Sequence, residues 1–147
     1  MIALPPAALE TLRAQALTAY PRECCGGLLG RIRGDHGHSA REVVRPVPLP
    51  NTWDERGQDR RYLIDSDAVR ELERQAEREG LELIGFFHSH PDSPARPSPY
   101  DQEHAWPWYT YVIVAVPAGV PGSVCAWRLA DDRSAFSEEA LTIVEDA

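Results

Sequence analysis

Leu81-Glu82-Leu83-Ile84-Gly85-Phe86-Phe87-His88-Ser89-His90-Pro91 is an apolar run that ends in two histidines. Its length and composition predict a buried strand, with the histidines at the C-terminal end, where α/β proteins commonly place their sites. Residues two apart on a strand share a face, so His88 and His90 can meet one metal ion while Ser89 turns away. The segment from Pro91 to Pro99 holds four prolines and cannot be regular structure. A loop that stiff returns the chain with little entropy left to lose, and it leads to Asp101. Two imidazoles and a carboxylate suit catalytic zinc, which keeps three protein ligands and leaves its fourth position to a water of pKa about 7.

Working outward, Ala8, Leu9, Leu12, Ala16 and Ala19 recur at helical steps between Pro5 and Tyr20 and predict an amphipathic helix. Cys25 to Ile32 reads as a strand whose glycines imply close approach by another backbone, and Arg41 to Val47 as its antiparallel neighbour across a turn at Gly34 to Ser39. Leu49 to Gln58 is loop, and Arg61 to Ile64 is expected to be a short strand. Asp65-Ser66-Asp67 opens a charged helix that Gly80 closes; its charges read as a solvated face. Pro99 to Trp106 reads as a short helix carrying Asp101. Tyr109 to Val116, Val124 to Leu129 and Ala140 to Val144 read as strands, the first two joined by the Pro117 to Gly122 turn. This order predicts a single α/β domain over residues 1–147, one mixed sheet flanked by helices.

The 147 residues suffice for a core without disulfides or structural metal, so a metal here is expected to be functional. With 43% hydrophobic and 26% charged residues the composition is globular, and no apolar run approaches the roughly 18 residues of a membrane span. No secretory signal is apparent at the start, and Cys24, Cys25 and Cys125 form no even disulfide set, so a reducing cytoplasm is expected. A net charge of −8 disfavours nucleic acid and anionic membrane and suits a protein partner. Oligomeric state is left open.

A metal-bound water still needs a base. Glu23, between the first helix and the first strand, is the best-placed candidate, since burial beside a metal would tune its pKa toward the working range. An exposed helix-end carboxylate is the competing reading. A thiol hydrolase using Cys24 or Cys25 with His88 is a rival. So is another zinc amidohydrolase of the deaminase kind, which the absence of H-x-E and P-C-x-x-C disfavours.

The whole arrangement resembles the JAMM (MPN+) metalloprotease family, whose signature is a glutamate, a distant His-Ser/Thr-His-Pro, then a serine and an aspartate at fixed spacing. Glu23, His88-Ser89-His90-Pro91, Ser98 and Asp101 fill every position. The resemblance covers most of the chain, looks like the compact prokaryotic branch, and implies the MPN/JAB fold, which is cytidine-deaminase-like. It implies zinc (Zn2+) held by His88, His90 and Asp101, Glu23 as general acid/base, and Ser98 as hydrogen-bond donor to the oxyanion. The substrate it implies is an amide or isopeptide bond at the Gly-Gly tail of a ubiquitin-like or sulfur-carrier protein. Cys24-Cys25 replaces the single cysteine common in that branch, and the insertions with which eukaryotic relatives grip ubiquitin are not obvious. A noncatalytic binding module on the same fold is the alternative, although such members usually lack ligands present here. Trp53, Trp106, Trp108 and Tyr100 are candidates for the walls of a tail groove, with ordinary packing as the competing role. His104 is a candidate hydrogen-bond partner of a ligand, against a plain surface role. His36 and His38 are expected in an exposed turn.

Overall fold

Eight strands form one mixed sheet in the order β7-β6-β5-β4-β2-β3-β1-β8 in this computed structural model, which describes residues 1–34 and 40–144. The strands are β1 (Ile2–Leu4), β2 (Cys25–Arg33), β3 (Ala40–Leu49), β4 (Glu82–Pro91), β5 (Thr110–Val116), β6 (Val124–Leu129), β7 (Phe136–Glu139) and β8 (Leu141–Ile143). Three helices accompany them: α1 (Pro6–Ala19), α2 (Ser66–Arg78) and α3 (Pro99–His104). The single α/β sheet with flanking helices agrees with the pattern expected from sequence. The expected turn at Gly34 to Ser39, with His36 and His38, lies outside the described residues apart from Gly34.

The apolar periodicity decides which helix covers which face. Ala8, Leu12 and Ala16 of α1 are buried with Ile2, Leu4, Leu28, Phe87, Val112 and Val114 in one cluster. Leu72 and Ala76 of α2 are buried with Leu29, Leu83, Phe86 and Tyr111 in another. Each buried leucine or phenylalanine contributes roughly 1.5–3 kcal/mol by leaving water. The Asp65 side chain accepts from the Asp67 N–H at the start of α2, and Gly80 adopts φ +68° beyond its end, a conformation cheap only without a Cβ.

The central strand is not regular. Leu28 pairs with Gly85 but Leu29 with Leu83, so Ile84 is an extra residue, a β-bulge. Leu83 lies in the α2-side cluster, Ile84 in the α1-side cluster, and Phe86 and Phe87 again on the α2 and α1 sides. The bulge therefore resets the alternation, so that His88 and His90 follow Phe86 on the α2 side while Ser89 follows Phe87. At Gly85 a Cβ would lie 2.1 Å from the Thr110 carbonyl oxygen on β5, and at Gly30 it would lie 2.0 Å from that of Glu42 on β3. The close approach at Gly30 is what the glycines of β2 imply.

Three elements depart from the sequence expectation. Arg61 to Ile64 has no regular structure and joins no ladder, because its backbone groups are taken by the preceding loop: Leu63 N–H donates to Asn51 Oδ1, and the Leu63 carbonyl accepts from both Thr52 N–H and the Thr52 hydroxyl. β1, three residues long, and β7, with the polar sequence Phe-Ser-Glu-Glu, carry too little hydrophobic pattern to be legible. β7 and β8 end the strand order on its two sides, yet only Ala140 separates them, so the sheet curls until these ends adjoin, and the Ala140 carbonyl accepts the Ile2 N–H at 2.9 Å.

Candidate active site

β4 runs antiparallel to β2 and parallel to β5, and this pairing builds the site. Cys25 is registered against His88, so continuing the antiparallel pair brings Glu23 opposite His90. Ser89, on the other face, fastens that extension: its N–H donates to the Cys24 carbonyl at 3.1 Å, and its Oγ accepts the Cys24 N–H at 2.8 Å. Glu23, His88, His90 and Asp101 are all buried, which removes the reading of Glu23 as an exposed helix-end carboxylate.

Asp101 arrives from the other direction. Ser98 caps α3: its Oγ accepts the Asp101 N–H at 3.1 Å while its own N–H donates to Asp101 Oδ2 at 2.9 Å, a reciprocal capping box. The oxygen held this way faces the histidines, at 3.2 Å from His88 Nε2 and 3.0 Å from His90 Nε2, and the two nitrogens are 3.1 Å apart. A tetrahedral metal with bonds of 2.0–2.1 Å would set its ligands about 3.3 Å apart, close to this triangle. Proton bookkeeping points the same way. His90 Nδ1 lies 2.8 Å from the Pro94 carbonyl, which can only accept, so in the neutral ring the proton is on Nδ1 and Nε2 presents a bare lone pair to an anionic oxygen. A cation between them resolves that conflict.

The electrostatics separate the two carboxylates. Burial pushes Asp101 upward, but His88, His90 and the Ser98 N–H outweigh it and hold its carboxyl well below the usual range. Burial raises Glu23 from 4.5 to about 8; His90 pulls it down, and Asp101 and Asp59 add to the rise. Its Oε1 has no hydrogen-bond partner. Glu23 can bring an oxygen to within 4.8 Å of both histidine nitrogens, so both carboxylates border the pair. Asp101, already at 3.0–3.2 Å from both nitrogens, has the contact of a ligand, and Glu23 stands off from it.

Two clefts meet here. One, of about 300 Å³, is lined by Glu23, His90 and Ser98 with Arg60 and Arg96 among its other walls. The other, of about 370 Å³ and mostly apolar, reaches Asp101 from the side of Tyr62, Phe86 and Tyr111. Of the expected groove aromatics, Tyr100 and Trp106 line the apolar cleft. Trp53 packs edge-on against Tyr100 at 5.4 Å, while Trp108 is occupied by the Arg41 guanidinium. His104 is exposed, stacks on Tyr100 at 4.0 Å and bonds the Tyr100 carbonyl, so among the described residues it touches no ligand. The thiol rival fares poorly: burial raises Cys25 to about 12 and also lifts Cys24, and Cys25 Sγ is directed to the Leu49 and Pro50 carbonyls.

Sequence reading missed two residues that touch the site. Tyr62 stacks on His88 at 4.4 Å between ring centres, and Asn51 donates to the Glu23 carbonyl at 3.1 Å. Aromatic and amide residues in an irregular loop give no periodic signal.

The strand-end histidines, the glutamate across from them and the aspartate on the next helix define a class of enzyme built on the JAB domain. The family model described as prokaryotic homologues of the JAB domain matches residues 5–130. Over 110 residues the chain is 39% identical to a probable TtuB-protein conjugate cleaving protease of Thermus thermophilus, covering 75% of this chain and 67% of the relative. It is 35% identical over 106 residues to a desampylase of Haloferax volcanii, covering 71% and 70%. Two solution structures are similar throughout: one of a Desulfitobacterium hafniense protein, with TM-score 0.84, 31% identity and coverage of 99% and 94%, and one of a Salinibacter ruber protein, with TM-score 0.72, 39% identity and coverage of 97% and 91%. The chain belongs to this prokaryotic JAB, or JAMM, family and is a hydrolytic enzyme. No helix among the described residues is long and apolar enough to cross a membrane.

Proposed function

We propose that this protein is a zinc-dependent metallopeptidase that hydrolyses an amide or isopeptide bond at the C-terminal Gly-Gly tail of a ubiquitin-like or sulfur-carrier protein, in the cytoplasm. The observation that carries the reading is the triangle of His88 Nε2, His90 Nε2 and Asp101 Oδ2, with sides of 3.0–3.2 Å, beside a buried glutamate that has an unpartnered oxygen. Nitrogen and carboxylate donors in that number suit zinc. The conjugate-cleaving relatives support a small protein modifier as substrate.

His88, His90 and Asp101 would hold the ion, which when bound supplies Lewis-acid polarisation of the carbonyl and acidifies water. Glu23, whose buried carboxyl takes up a proton far more readily than an exposed one, removes the proton from the attacking water and passes it to the departing amine. The Ser98 oxygen already accepts the Asp101 N–H, so its own proton is free to donate to the developing oxyanion. Proton transfer then comes from the α1–β2 connection, and oxyanion donation from the cap of the helix that carries Asp101. The noncatalytic alternative gives no reason to bury an unpaired carboxylate beside an intact donor set.

The test is metal analysis of the purified protein together with activity. Zinc near one equivalent, loss of cleavage on chelation and its return with zinc are expected, with modifiers extended or conjugated beyond Gly-Gly as substrates and products read by mass. Protein that neither carries nor takes up zinc overturns the reading.

A further inference from the structure

Glu23 has no regular element under it: it falls between α1 and β2, and its side chain is buried with Oε1 unpartnered among the described residues. Its backbone is nonetheless held at both polar groups by the loop after β3. The Glu23 N–H donates to the Gln58 carbonyl, and the Glu23 carbonyl accepts from Asn51 Nδ2 at 3.1 Å. Asn51 spends its remaining capacity on that same loop. Nδ2 also donates to the Arg61 carbonyl at 3.1 Å, and Oδ1 accepts the Trp53 N–H at 3.0 Å and the Leu63 N–H at 3.1 Å. Both amide protons and both acceptor directions are thus used, which fixes the side chain's rotation and its flip state together.

The loop so closed touches the rest of the site. Tyr62 lies flat on His88, the Tyr62 carbonyl accepts the Tyr100 hydroxyl at 3.4 Å, and Arg61 sits over the Tyr100 ring at 4.9 Å, next to Asp101. His88 Nδ1 is buried with no hydrogen-bond partner, so ring stacking by Tyr62 replaces the polar contact that usually orients such an imidazole. One amide side chain joins Glu23 to a strap that also rests on His88 and α3.

From this geometry we infer that Asn51 is a positioning residue that sets the Glu23 carboxylate relative to the His88, His90 and Asp101 cluster; the inference rests on the catalytic reading of Glu23 above. A shift of about 1 Å in a reacting group costs on the order of 10²-fold in rate, and the lever from the Glu23 carbonyl to its carboxylate is short enough to transmit one. The Asn51 side chain spends its polar groups within the protein, so its loss acts on turnover rather than on substrate binding or metal retention.

The discriminating variant is Asn51→Asp, which keeps the oxygen facing Trp53 and Leu63 N–H and forfeits the donor to Glu23. Thr52→Val serves as a control, since it loosens the same loop at the Leu63 carbonyl without reaching Glu23. Expected for Asn51→Asp are a 10- to 100-fold lower kcat, KM within about threefold of wild type, and unchanged zinc stoichiometry, with Thr52→Val far milder. Should Asn51→Asp not fold, Asn51→Ser takes its place under the same criteria. Wild-type kcat in the Asn51 variant, or a loss shared equally by Thr52→Val or accompanied by loss of zinc, overturns the inference. Failure of the underlying reading looks different: Glu23→Gln would then turn over as wild type does.

Discussion

The two halves of β4 are buried alike and hold opposite chemistry. From Leu83 to Phe87 the strand packs apolar side chains into a core on each face; from His88 to Pro91 it keeps the same burial around two imidazoles. The apolar half is over-determined, with each side chain answered from the facing helix. The polar half is held by polar and stacking contacts from several elements: the Pro94 carbonyl on His90, Tyr62 on His88, and Asp101, itself fixed by Ser98, on both. His88 Nδ1 in it and Glu23 Oε1 across from it are buried with no hydrogen-bond partner among the described residues, and each such atom costs on the order of 1–3 kcal/mol. Burial in the first half stabilises the fold; in the second it costs stability and tunes reactivity.

Removing a donor breaks the contrast most severely. Asp101→Ala is expected to lose both zinc and turnover, activity falling by more than about 10³-fold, because the anion facing both histidines disappears. Glu23→Gln should keep zinc by metal analysis while turnover falls on the order of 10²–10⁴-fold. In the apolar half, Phe87→Ala should cost about 3–5 kcal/mol in denaturant unfolding with residual specific activity in whatever remains folded. A variant at Phe87 that lost activity without losing stability would erase the distinction between the halves.

The remaining expected effect is a reversal of sign. In metal-free protein the folded state raises Glu23 from 4.5 to about 8, so folding binds a proton that the unfolded chain releases. The stability this provides is complete below about pH 4.5 and is lost as pH rises toward 8. Glu23→Gln removes that dependence, and at pH 8 the metal-free variant should exceed the metal-free wild type by ~4 kcal/mol or less. Identical pH–stability curves for the two would show that Glu23 is not buried as an acid.

The sequence was most readable where the chain repeats itself. The periodicities of α1 and α2 and the strand-like composition and turn signals of β2, β3, β5 and β6 carry the fold class, and the signature spacing from His88 to Asp101, with Glu23 upstream, picks out residues that the structure brings together. The bulge at Ile84 was invisible because an apolar run looks the same with or without an extra residue. Arg61 to Ile64 was misread as a strand because composition cannot tell a segment that pairs with a sheet from one whose backbone is claimed by Asn51 and Thr52. The strap that carries Tyr62 is set by amide geometry, and side-chain hydrogen bonds leave no period in a sequence.

The single residue between β7 and β8 has a consequence for how the sheet is assembled. With Ala140 as the only spacer, docking β7 on β6 places β8 beside β1, where the curled sheet brings its two end strands together, so the second pairing is an intramolecular event at high effective concentration. The two margins are thereby one thermodynamic unit. A break in the peptide chain at Ala140 would turn a coupled closure into two independent weak ones and offer both β6 and β1 as templates for foreign strands.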